Sequence, residues 1–167
     1  NIAVAAAHLL QNLNLKRVLI LDIDAHHGNG TQELFYDASE VLYISLHQDP
    51  RGFPGTGFID EVGRDEGLGY TVNIPLPFRT GDSAYWKAFK EIVTPIVQQY
   101  KPQFILVSAG FDGYYGDTIA DLSLSAFIYL RLFDSILEMA HRFSSDRAVV
   151  VLEGGYKLSF LRKICLL

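Results

Sequence analysis

Arg17-Val18-Leu19-Ile20-Leu21-Asp22-Ile23-Asp24-Ala25-His26-His27 is an unbroken apolar run that ends in carboxylates and imidazoles. A strand with one wet face alternates apolar and polar residues, whereas a strand covered on both faces is apolar throughout. Arg17–Asp24 therefore predicts a central strand of a parallel sheet. Three further runs have the same character: Val41–His47, Phe104–Ser108 and Ala148–Leu152. Tyr70–Ile74 reads as a shorter strand, closed by Pro75 and Pro77. Helical patterns lie between and before them. Ile2–Leu13 is Ala-rich and apolar on several sides, and Thr31–Tyr36 suits a short helix. With Asp82 as N-cap, the next helix sets Trp86, Phe89, Ile92, Val93, Ile96, Val97 and Tyr100 on one stripe, with Pro95 as a kink or break. Leu124–Arg142 turns Phe127, Ile128, Phe133, Ile136, Leu137 and Ala140 inward. Buried strands alternating with helices predict an α/β fold, a parallel sheet with helices on both faces. No linker divides the chain.

Composition narrows the function. The 167 residues are 49% apolar and 20% charged, which excludes disorder, and 14 Lys and Arg against 19 Asp and Glu give a net charge of −5. Without a basic block, direct nucleic-acid binding is not expected. The single cysteine, Cys165, excludes a disulfide framework and a Cys-based zinc site. No apolar run is long enough to span a membrane and no signal-peptide charge pattern opens the chain, so an intracellular place, cytoplasm before nucleus, is the default. The chain starts at Asn1 rather than Met, which reads as processing or cutting.

Chemistry-bearing residues gather where three of the strands end. In an open α/β sheet that edge is where ligands bind. Side chains at i, i+2 and i+4 of an extended segment share a face, so Asp22, Asp24 and His26 point one way if the strand runs that far, with His27 pointing away. Adjacent carboxylates at a buried strand end repel each other and are costly to desolvate, and a cation neutralises them. Asp24, His26 and Asp112 make three protein ligands, the number that leaves a catalytic metal one open position. Singly, many of these residues have plainer readings. Asp112-Gly113 is a turn, Gly154-Gly155 is a tight turn, Tyr156 is a rim aromatic, His8 is structural and Met139 is core. Glu153 alone is weak evidence for a metal, and His47 fits either reading. The loop 51–69 carries Gly52, Pro54, Gly55, Gly57, Gly63, Gly67 and Gly69, and a loop of that length inside a compact domain tends to be functional.

Taken in order, Asp22-Ile-Asp-Ala-His-His-Gly-Asn-Gly-Thr-Gln32, Ser45-Leu-His47, Phe53-Pro-Gly-Thr-Gly57, Ser108-Ala-Gly-Phe-Asp112 and Leu152-Glu-Gly-Gly-Tyr156 resemble the zinc-dependent histone deacetylase family. That family includes acetylpolyamine amidohydrolases and acetoin-utilisation proteins. The Gly-Phe-Asp and Glu-Gly-Gly-Tyr forms are closer to class II and prokaryotic members. The resemblance implies the arginase/deacetylase fold and one catalytic Zn2+ on Asp24, His26 and Asp112. It also implies a structural K+ held around Asp22, Asp24, His26, Ser45 and Leu46. Tyr156 would donate its hydroxyl to the amide carbonyl, and Asp22 would also support a catalytic histidine. Phe53 and Pro54, with Gly154 and Gly155, would line the acyl channel. His27 and Asn29 would stand behind the metal ligands, Asn29 where some members carry Asp.

In the family the general base belongs to a His-His pair upstream of the stretch matched here. His26-His27 already corresponds to the metal motif. Residues 1–167 are thus expected to be the central and C-terminal part of one histone deacetylase domain, truncated at both ends, with little activity alone. The complete protein would deacetylate lysine in histones or other proteins, or a related acetylated amine. Two rivals remain at this point. One is a ureohydrolase with two manganese ions, for which Asp24-Ala25-His26 fits but a second aspartate after Asp112 is missing. The other is a non-catalytic module that binds metal, acyl groups or partner proteins.

Overall fold

The computed structural model describes residues 1–164, so Cys165 lies outside the described residues. Five parallel strands form one sheet in the order β3-β2-β1-β4-β5: β1 (Val18–Asp22), β2 (Val41–Gln48), β3 (Thr71–Leu76), β4 (Phe104–Ala109) and β5 (Ala148–Leu152). This is the α/β architecture that the alternation of patterns predicts. Side chains alternate across it. Leu19, Leu21, Leu42, Ile44, Ile105 and Val107 pack on one face beneath α3 (Asp82–Ala88), a π-turn at Phe89–Val93, α4 (Thr94–Tyr100) and α5 (Ala126–Phe143). Val18, Ile20, Val41, Tyr43 and Leu106 face α1 (Ile2–Gln11) on the other side, where α2 (Asn29–Phe35) also lies. α6 (Leu158–Ile164) returns to the first face through Phe160 and Ile164.

One row crosses this apolar sheet. Asp22 is in register with Ser45 on β2 and Ser108 on β4, and Ser45 with Asn73 on β3. All four are buried on the α1 face, giving a polar seam near the strand ends.

Several expectations are corrected. β5 is not a buried strand: Val149, Val150 and Leu152 are 45%, 49% and 54% exposed, because β5 is an edge with no neighbour beyond it among the described residues. β3 does not stop before Pro75 but runs through it to Leu76, since an edge strand tolerates a residue without an N–H. Gly81, not Asp82, is the N-cap of α3, and the Asp82 carboxylate instead accepts the Ser125 N–H (2.8 Å) and Oγ–H (2.5 Å). Pro95 is accommodated by the π-turn just ahead of it, where the Thr94 N–H reaches back to the Phe89 carbonyl. On α5, Phe127 (79% exposed) and Leu137 (63%) face outward, while Tyr129, Leu132 and Met139 join Ile128, Ile136 and Ala140 inside.

Candidate metal centre

The apolar run leaves strand geometry at Asp22, and its own carboxylates turn it. Asp22 Oδ1 accepts the Asp24 N–H at 3.1 Å, and Asp24 Oδ1 accepts the His26 N–H at 2.8 Å. Each Asp captures the donor two residues on, the habit that makes this residue a turn former. Asp22, Asp24 and His26 therefore line one cleft through successive turns rather than along a continuing strand, while the ring of His27 is directed away from the Asp24–His26–Asp112 cluster, toward Gln32 and Thr56. The cleft, about 400 Å³, is also lined by Ser108 and Glu153. A larger cleft of about 700 Å³ at the opposite ends of the strands, near Lys16, Tyr70 and Tyr100, holds no such cluster among the described residues.

β4 and its following turn supply Asp112. One ligand atom each from Asp24, His26 and Asp112 lies within 4.8 Å of the others. His26 Nδ1 stands 2.8 Å from Asp112 Oδ2 and 3.4 Å from Asp24 Oδ1. Asp112 Oδ1 accepts the Ala25 N–H at 3.1 Å, and the buried Oδ2 faces His26 Nδ1. Two buried or half-buried carboxylates and an imidazole converging on one point suit a small divalent cation, and this donor set is one that zinc accepts. In the metal-free protein a proton stands in for that cation: bonds to Asp112 and then Asp24 push His26 up to about 10. Burial pushes Asp112 up, whereas Asp24, although burial opposes it, is held down by His26 and by the N–H groups of His26 and Gly154. Asp22 is raised well above the carboxylate range by burial and then by the Asp24 charge, and its Oδ2 accepts the Tyr43 hydroxyl at 3.1 Å.

The Gly-Gly turn after β5 completes the wall. Gly154 N–H donates to Asp24 Oδ2 at 2.8 Å, and Gly155 adopts φ +126°, which glycine alone takes readily. Tyr156 follows, 59% exposed, its hydroxyl raised above the ordinary tyrosine value by desolvation and then by Asp112 and Asp24. Phe53 stands edge-on to His26 with ring centroids 5.7 Å apart, and half-buried Pro54 follows it. Ser45 and Leu46 are buried below, and Ser45 Oγ lies 2.8 Å from His47 Nδ1. Asn29, exposed at the start of α2, donates its backbone N–H to the His27 carbonyl at 2.9 Å and takes no part in the side-chain network around the His27 ring.

That network was not foreseen. His27 Nε2 meets Gln32 Oε1 and Nδ1 meets Thr56 Oγ1, each at 3.0 Å. Gln32 also accepts from Asn73 Nδ2 (2.7 Å) and donates to Glu61 Oε2 (2.5 Å), while Glu61 Oε1 receives the Gly57 and Phe58 N–H groups. These bonds fasten the glycine-rich loop that presents Phe53. His47 Nε2 bonds the Gly57 carbonyl at 2.9 Å. His27 and His47 thus use both ring nitrogens and both are held down by burial, His47 to about 4. A depressed histidine contributes stability present above the unfolded pKa, near 6.5, and lost as pH falls toward the folded one. Unfolding stability in urea should therefore drop by about 2 kcal/mol between pH 7 and pH 5 through His47. His47→Asn should flatten that slope, and an unchanged slope would remove His47 as its source.

The pattern of the histone deacetylase domain matches residues 1–166. A probable deacetylase of Archaeoglobus fulgidus is 48% identical over 158 residues, which are 95% of this chain and 44% of that protein. The structure of the histone deacetylase Clr3 superposes with a TM-score of 0.90 at 39% identity, covering 99% of this chain and 28% of that one. An acetylpolyamine aminohydrolase from Burkholderia pseudomallei gives 0.89 at 36% identity, covering 99% and 46%. The chain thus spans less than half the length of each of these relatives. No helix among the described residues is long and apolar enough to cross a membrane.

Proposed function

Because the chain belongs to the histone deacetylase family, we propose that it carries the metal centre of an amidohydrolase acting on N-acetylated amines. The substrate is acetyl-lysine in a protein or a related acetylated amine, and residues 1–167 are the central and C-terminal part of one deacetylase domain. The observation that supports this most is the convergence of ligand atoms from Asp24, His26 and Asp112 within 4.8 Å of one another at the ends of the strands. Zinc held by these three residues would supply Lewis acidity, polarising the acetyl carbonyl and lowering the pKa of the attacking water.

The remaining chemistry belongs to side chains and backbone. Tyr156, its pKa raised by desolvation and then by Asp112 and Asp24, donates its hydroxyl proton to the carbonyl oxygen as negative charge develops there. The ring of Phe53 and the side-chain-free backbone of Gly154 and Gly155 flank the acyl group. Asp22 steadies the turn that bears Asp24, and with Asp24, His26, Ser45 and Leu46 it would hold the structural potassium that the family resemblance implies. The water's proton needs an acceptor with a free nitrogen. His27 and His47 have none, His26 belongs to the metal cluster, His141 is paired with Asp146 and His8 lies exposed on α1, which agrees with the family resemblance in assigning the acceptor to an upstream His-His pair.

Expressed from its complete reading frame and loaded with zinc, the protein should hydrolyse an acetyl-lysine peptide, and Tyr156→Phe should lower kcat about 10²–10³-fold. The 167-residue chain alone should show no turnover, and turnover by it would place the proton acceptor within it. Two manganese ions per chain with ureohydrolase activity would replace the proposal by that class. Hydroxamate binding without hydrolysis by the complete protein would leave a non-catalytic acyl-binding module.

A further inference from the structure

Tyr156 has to aim a hydroxyl, yet its side chain is largely in solvent and gains little direction from packing. Its placement depends on the main chain. Behind it, the turn is pinned to β4 and the loop after β4: Glu153 N–H donates to the Ala109 carbonyl, and Phe111 N–H donates to the Gly154 carbonyl, both at 2.9 Å. Gly155 then intervenes at φ +126°. A glycine there can swivel between conformations closed to other residues, so these pins alone leave Tyr156 free to swing.

One carboxylate removes that freedom. Asp117 lies in the same loop as Asp112. Its Oδ2 accepts the N–H groups of Tyr156 (2.6 Å) and Lys157 (2.8 Å), and its Oδ1 accepts those of Thr118 (2.8 Å) and Ile119 (3.1 Å). Charge-assisted bonds of this kind are roughly twice as strong as neutral ones. With each oxygen already accepting two backbone donors, Asp117 is not placed to grip a substrate amine. Its position on the loop of Asp112 means that the metal ligand and the tyrosine are fixed to a common piece of backbone.

We infer that Asp117 is a positioning residue for Tyr156, clamping its main chain beyond the Gly155 swivel so that the hydroxyl keeps a fixed place relative to Asp112. The inference rests on the proposed role of Tyr156. It is tested by a double-mutant cycle in the zinc-loaded protein expressed from its complete reading frame. Asp117→Ala should lower kcat about 10–100-fold, as a displacement of about 1 Å can, with KM and zinc content unchanged. In a Tyr156→Phe background the same substitution should cost nothing further, because the two residues act as a unit. Amide hydrogen exchange at Tyr156 and Lys157 should accelerate. Asp117→Asn, which keeps one carbonyl oxygen, should fall between, and it carries the comparison if Asp117→Ala does not fold. Losses that multiply in the double variant, or unchanged protection of the Tyr156 amide, would overturn the inference. A Tyr156→Phe enzyme with undiminished kcat would instead overturn the proposed function, whatever Asp117 does to amide exchange.

Discussion

Asp112→Asn should strip the protein of zinc and of activity together. The asparagine still presents an acceptor to the Ala25 N–H, so the turn after β4 should hold, but the buried Oδ2 facing His26 loses its charge. Loss of a partner one layer behind a metal ligand typically costs 10–100-fold in affinity, so loss of a ligand itself should cost more than about 100-fold. The proton gives a second readout. Since Asp112 is the largest cause of the rise of His26 to about 10, its pKa in the metal-free variant should fall. In the wild-type chain, zinc must displace that proton at neutral pH, so uptake should release a proton and weaken as pH drops. Titration calorimetry in two buffers of different ionisation enthalpy would show this. Wild-type zinc content in Asp112→Asn would remove Asp112 from the centre.

Gly154→Ala should be nearly as damaging with one methyl group. A Cβ there would lie 2.4 Å from Asp24 Oδ2 and 2.9 Å from the Asp112 carboxyl. Both carboxylates would have to retreat, and Asp24 would lose the geometry of its bond from Gly154 N–H. Because the glycine follows an edge strand, the sheet should survive, so circular dichroism should be unchanged while zinc content falls to a small fraction of wild type. A variant that binds zinc normally would show that the turn can yield by that distance.

The fold and the central cluster were legible because each is a local signal. An apolar run ending in Asp22-Ile-Asp-Ala-His declares both a buried strand and the place where its chemistry begins, and Ser108-Ala-Gly-Phe-Asp112 repeats the form on the next strand. What escaped depends on distance or on neighbours. Nothing in Val149-Val150-Val151 distinguishes an edge strand from a central one, because that difference lies in what sits alongside. α5 is apolar enough to offer more than one stripe, and contact with the sheet, not composition, selects the one through Tyr129 and Leu132 over Phe127 and Leu137. Gln32, Glu61 and Asn73 are ordinary polar residues until folding joins them around His27. Asp117 carries no local sequence signal, and only the return of the chain at Tyr156 gives it a role.

The polar seam Asn73–Ser45–Asp22–Ser108 has a consequence for folding fidelity. Parallel strands of Val, Ile and Leu offer few cues to their alignment, and sliding one by a single residue turns each of its side chains to the opposite face. In β1 such a slip would drive Asp22 into the oily layer beneath α3 and α5, where an unpartnered carboxylate costs several kcal/mol. The groups that assemble the chemistry therefore also act as an alignment key. A sheet built out of step would be unstable as well as inactive, and the fold and the site are proofread by the same few atoms.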